Sequence, residues 1–109
     1  MGAAMIGNLR TRITIQIADT LQDDLGGVQT NWLHYARVWA HINPQAVSER
    51  LESGRLVITR SYKVIIRWQR NFPERARLVF EDKILRVLSA SDPDLRRERL
   101  HLICAEEEQ

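Results

Sequence analysis

Leu9 to Asp19 reads LRTRITIQIAD, and its period decides the class of fold. Ile13, Ile15 and Ile17 fall on one side and Arg12, Thr14 and Gln16 on the other, the two-residue repeat of a half-buried strand. Thr30 to Ile42, TNWLHYARVWAHI, is rich in aromatic and branched residues and predicts a second long strand, antiparallel to the first. Between them lies DDLGGVQTNW, Asp23 to Trp32. Its acids lack the spacing of a calcium loop, and its glycines lead into a strand rather than a helix N-terminus. It reads as a connection in which glycine supplies a positive φ.

Asn43-Pro44 stops the second strand in this reading, because proline cannot donate to a ladder. The same pair suits a helix start, with Asn43 as N-cap and Pro44 at the first helical position, and Gly54 suits a C-terminal cap. Val47 and Leu51 would then form an apolar stripe. The expectation for this segment is one short helix or ordered long loop inserted after the second strand.

From Leu56 the two-residue period returns, with Tyr62, Val64, Ile66 and Trp68 on one face. Pro73 marks a loop. Arg77–Phe80 and Lys83–Ser91 read as two strands joined at Glu81-Asp82, and Asp92-Pro93-Asp94 as a turn whose aspartates take nearby backbone donors. Leu100, Leu102 and Cys104 alternate in a final strand. The expected fold is mainly β, a small six-stranded antiparallel β-barrel or sandwich. Its expected bounds are residues 9–106, preceded by a flexible N-terminus at 1–8 and followed by an acidic tail at 107–109.

Composition narrows the class further. The chain has 109 residues, enough for one domain that buries roughly two-thirds of its unfolded surface. No apolar run approaches the ~18 residues of a membrane helix, and MGAAMIGNLR lacks the basic and apolar regions of a secretory signal, so synthesis without export is expected. Cys104 is the single cysteine and reads as a small buried hydrophobe. The net charge is +2, and every one of the 16 cations except Lys63 and Lys83 is arginine, a bias towards bidentate pairing with carboxylates.

No motif carries catalysis. His34, His41 and His101 stand at strand positions without metal-ligand spacing, and no nucleophile signature occurs. No catalytic residue, metal ligand or cofactor is assigned, and the chain is expected not to be an enzyme. Trp32, Tyr35, Trp39, Tyr62 and Trp68 near arginines raise one alternative, a β-barrel that stacks the bases of single-stranded nucleic acid.

LRTRITIQ, DDLGGVQTNW followed by RVWAHINP, YKVIIRW, and KILRVLSASDPDLRRERLHLICAE occur in this order between Leu9 and Glu106. The set resembles the tailed-phage head-tail joining family, also called head-closure or stopper proteins, carried by phages, prophages and gene transfer agents. Glu81-Asp82 departs from it, since members often have a glycine-containing turn there. The resemblance implies a virion connector assembled in the bacterial cytoplasm: a homo-oligomeric ring below the portal and adaptor that closes the DNA-filled head and receives the tail. Double-stranded DNA would pass through without sequence-specific recognition, with no membrane, catalysis or cofactor. It further implies that Asn43 to Thr59 reaches towards the channel or a neighbouring subunit, with Gln45, Ser48, Glu49, Arg50, Glu52 and Arg55 as its exposed residues.

Overall fold

A computed structural model describes residues 9–22 and 24–108, without the side chains of residues 21, 22, 107 and 108. The expected flexible N-terminus at 1–8 lies outside the described residues, as does Gln109. Six strands follow one another, β1 (Thr11–Gln22), β2 (Val28–Glu52), β3 (Arg55–Arg67), β4 (Ala76–Phe80), β5 (Lys83–Ser91) and β6 (Arg99–Glu108). Every neighbouring pair is antiparallel, and the strands close into a barrel in the order β1–β2–β3–β6–β5–β4. No helix occurs among the described residues.

Alternation fills the interior. Ile13 and Ile15 of β1, Ala40 of β2, Tyr62, Val64 and Ile66 of β3, and Leu100, Leu102 and Cys104 of β6 belong to one buried cluster with Leu78 of β4 and Leu85 of β5. Trp68, expected in line with Tyr62, Val64 and Ile66, packs partly buried against it. Burial in this apolar interior pushes the Cys104 thiol up to about 12, which keeps it protonated and unreactive at neutral pH.

The turns bear out most of the expected punctuation. Gly26 takes φ +83° in the connection from β1 to β2, whose ladder ends at the pair Gln22 and Val28. Asp92 accepts hydrogen bonds from Leu95 N–H at its carbonyl (3.1 Å) and from Arg97 N–H at its carboxylate (2.8 Å), which satisfies donors in the β5–β6 loop. Glu81 stands at φ +53° in the two-residue turn between Phe80 and Lys83, a conformation that costs a residue with a Cβ about 1–2 kcal/mol. β6 runs through Glu108, so residues expected to begin the tail continue the ladder against Ile58 and Thr59.

The segment expected as a helix or loop is strand. β2 continues through Asn43-Pro44 to Glu52 and pairs with β3 down to Glu52 opposite Arg55. Proline is tolerated because β1 ends its pairing at Thr11 opposite Ala40, so beyond that point β3 is the one strand paired with β2 among the described residues. The register also shifts here, leaving Gln45 without a partner between Pro44 opposite Tyr62 and Ala46 opposite Ser61. A second bulge leaves Tyr35 unpaired between His34 and Ala36. Drawn straight, 25 residues would span about 80 Å. The molecule is 51 Å in its longest dimension, so β2 must bend, and the bulges are where a strand bends most readily. The radius of gyration, 15.7 Å, exceeds the ~13 Å of a compact domain this size, because the β2–β3 hairpin projects as an arm.

Outside the barrel, Ile65 of β3 stands between His41 of β2 and His101 of β6 in one cross-strand row. Burial, then the charge of Lys63, lowers the His101 pKa below 6.5, partly opposed by Asp94. Between that lowered value and 6.5 the unfolded chain binds the extra proton, so the His101 contribution is complete above pH 6.5 and is lost as pH falls. Denaturant unfolding of the wild type and H101Q should therefore diverge near neutrality and converge below pH 6.5, with the wild type steeper in that window. In the core, Leu102→Ala should lower unfolding free energy by about 2–5 kcal/mol in the same measurement, since Leu102 is fully buried.

Candidate functional site

The arm comprises the end of β2 and the start of β3. Its turn is Ser53-Gly54, with φ of +53° and +76°, between the paired residues Glu52 and Arg55. Positive φ at both positions of a two-residue loop is the mark of a type I′ turn, whose twist matches that of the flanking strands. Gly54 has open space where a Cβ would project, so its requirement is conformational and not steric.

Directly opposed residues share a face, which sorts the expected site residues. Ser48, Arg50, Glu52 and Arg55 lie on the outer face, with Thr59 opposite Ser48 and Val57 opposite Arg50. Arg50 donates through Nε and Nη2 to Glu52 Oε2 (3.2 and 3.1 Å) and through Nη1 to Thr59 Oγ1 (3.2 Å). The pair is exposed and contributes at most about 1 kcal/mol, so its work is orientation across the two strands. Val57 is 7% exposed, and Arg50 across from it has an aliphatic stem long enough to shield it. Ser61 Oγ donates to Ala46 O (3.4 Å) beside the bulge.

Glu49 lies on the opposite face, and Gln45 is the bulged residue itself. All six expected residues are exposed, but they do not form one constellation. The residues that the sequence reading missed are apolar. Val47, Leu51 and Leu56 are 59%, 77% and 52% exposed, and they share the face of Glu49 and Ile58. Before the bulge Ala40 and Ile42 pair with core residues of β3; after it Val47 and Leu51 keep that same side, because one extra residue inverts the alternation. The arm thus carries the barrel's interior face outward without a core to cover it. The Ser-Gly dipeptide between Arg50-Leu51 and Leu56-Val57-Ile58 was the available signal for a hairpin.

Where β3 leaves the arm, Tyr62 donates its hydroxyl to Glu106 Oε1 (3.0 Å), and Lys83 approaches Glu106 Oε2 (3.9 Å). This links the root of the arm to β5 and β6. Each of the three tryptophans has an arginine over its ring. Arg12, Arg77 and Arg97 sit over the rings of Trp39, Trp32 and Trp68 at 4.9, 4.2 and 5.6 Å from their centroids, and Arg77 Nε also donates to Gln16 Oε1 (2.7 Å). No cluster of three or more potential metal ligands occurs among the described residues.

The sequence matches the phage head completion protein family over residues 5–108. The chain belongs to that family. A head completion protein is a structural component of the virion's head-tail connector, and that is the role of this chain. Among solved structures, the fold resembles a chain from the virion of a native gene transfer agent particle. That match has a TM-score of 0.76 and 20% identity, and covers 89% of this chain and 93% of that one. Protein SF1141 from Shigella flexneri 2a, solved in solution, matches with a TM-score of 0.65 and 24% identity over 93% of this chain and 95% of its own. At these identities the two structures show a shared fold. No curated protein matches the sequence at a significant level.

Replacing Gly54 by Ala should strain the head completion protein's arm by about 1 kcal/mol. Amide exchange should quicken for residues 46–61 while the barrel strands β4 and β5 keep their protection; uniform loss of protection would show the turn to be integral to the barrel.

Proposed function

We propose that this head completion protein forms a homo-oligomeric ring and that the arm is the element that joins neighbouring copies or reaches the channel. The ring would sit below the portal and adaptor, close the DNA-filled head, and offer its lower surface to the tail, acting by assembly rather than catalysis. The observation that carries this reading is the exposed apolar face of Val47, Leu51 and Leu56 on an ordered projection. A side chain of that size buried against a partner contributes about 1.5–3 kcal/mol, so three of them could supply much of a subunit contact. The arm's charged outer face, Arg50 with Glu52 and Thr59, provides a polar rim of the kind interfaces use for orientation. Membership of a head completion family supports the level of the connector, and the likeness to a gene transfer agent virion component supports incorporation into a particle.

The test is reconstitution with the cognate portal and adaptor, viewed by electron microscopy. A ring of density below the adaptor is expected with the wild-type chain. The double variant L51D/L56D, altered at exposed positions, should keep its β-sheet circular dichroism and its Tm yet lose incorporation at least tenfold. Persistent absence of the wild type from assembled particles would overturn the ring reading, and undiminished incorporation of the double variant would remove the arm from it.

A further inference from the structure

The contact that closes a ring of identical chains is heterologous: a surface on one copy meets a different surface on the next. The arm is one such surface, and the sheet order sets where its counterpart has to lie. In the closed order β1–β2–β3–β6–β5–β4, the arm's strands β2 and β3 stand three places from β5 and β4 respectively. The β4–β5 hairpin is therefore on the side of the barrel opposite the arm, where the next copy in a ring would meet it.

The outer wall there holds a groove of about 260 Å³ lined by Trp32, Arg77, Ile84, Arg86 and Ala105. That is below the ~300–1,000 Å³ of small-molecule sites and fits a few side chains. Ile84 is 49% exposed within it. Arg77 is held in place, since its Nε donates to Gln16 Oε1 (2.7 Å) and its guanidinium lies 4.2 Å from the centroid of Trp32. The paired Nη groups at the tip of its fork are the donors it can offer to an acid. Arg86 opposes it on β5 and is already engaged within the chain, so recognition of an incoming group falls to Arg77.

We propose that this groove receives the arm of a second copy, with Glu49 of the arm paired to Arg77, and Val47, Leu51 and Leu56 seated on Trp32 and Ile84. The pairing rests on the ring reading, whose arm it provides with a receptor. Charge and spacing both fit. Val47 and Leu51 lie about 14 Å apart along β2, with Glu49 midway on the same face. Trp32 on β2 and Ile84 on β5 are three strand spacings apart around the wall, about 14 Å, with Arg77 on β4 between them. A face that reads apolar, acid, apolar thus meets a wall that reads aromatic, cation, aliphatic. Glu81 and Asp82 lie beyond Ile84 in the β4–β5 turn, so an acid is repelled from that end and directed towards Arg77. Tryptophan and arginine are also the side chains that most often dominate interface energies.

The measurement is bismaleimide cross-linking of connectors reconstituted with the cognate portal and adaptor. The variant L51C/I84C, changed at exposed positions, should give a ladder of covalently joined copies, since each copy carries both halves of the contact. L51C and I84C alone should give single copies, and an equimolar mixture of the two should give dimers. Cys104 is buried and stays out of the reaction. E49R and R77E should each lower incorporation about tenfold or more, and E49R/R77E, which exchanges the charges, should restore most of it. Damage to the barrel from the loss of Arg77 would not be mended by a change on the arm. The cross-link leaves Arg77 in place, so it decides the matter if R77E does not fold. Rings that assemble from L51C/I84C without a ladder, or a folded exchange variant that stays defective, would overturn the proposal and leave the ring itself intact. Cross-linking by L51C alone or by I84C alone would overturn it too, because like surfaces would then meet. Failure of the wild type to form any ring would instead defeat the ring reading, and this contact with it.

Discussion

The register of β2 is the constraint on which the rest depends. Its first part pairs with β1 and its second with β3, and the handover falls between Ala40 and Pro44. Three requirements meet there. β1 stops, the missing proline N–H falls where no β1 neighbour needs it, and Gln45 adds the one residue that inverts the alternation. Without that residue Val47, Glu49 and Leu51 would turn to the outer face, and the arm would present Ser48 and Arg50 on the side continuous with the core. A strand's period of two makes a single-residue bulge sufficient to choose which face a distant side chain occupies.

An isolated two-stranded hairpin is marginal in water, yet this one keeps exposed apolar side chains in order. The support comes from its root. β6 covers β3 as far as Ile58, Tyr62 ties to Glu106, and Arg50 links Glu52 to Thr59 across the strands. Among the described residues, the stretch of the hairpin from Arg50 to Val57 stands beyond that cover. The barrel therefore serves as a rigid mount, and the part that projects is small enough for local turn chemistry to hold.

Much of the fold was legible because its signals are local. Ile13 and Ile15, Tyr62, Val64 and Ile66, and Leu100, Leu102 and Cys104 each announce a face by alternation, and Asp92 announces its turn by the donors it accepts. The arm was misread for an equally local reason. A positive φ at Gly54 serves a helix cap or a hairpin turn alike, and Asn43-Pro44 suits a helix start as well as an edge with a bulge. Val47 and Leu51 are four residues apart, a spacing that places two side chains on one face of a helix and also on one face of a strand. The six polar residues expected at the site are exposed, while Val47 and Leu51 read as a helix stripe and Leu56 as the start of the next strand.

The sequence by itself determined that the chain is a mainly β, single-domain structure of six strands with an ordered set of motifs, because period and turn chemistry act over a few residues. Tertiary structure alone decided whether the sheet closes, since closure pairs β1 with β4 and β3 with β6 across long separations. It also decided how charge is distributed. Arginines and acids are interleaved along the chain, but strand pairing sets Arg12, Arg67 and Arg99 in one cross-strand row with Trp39. Proximity across a barrel is a property of register, and no single segment contains it.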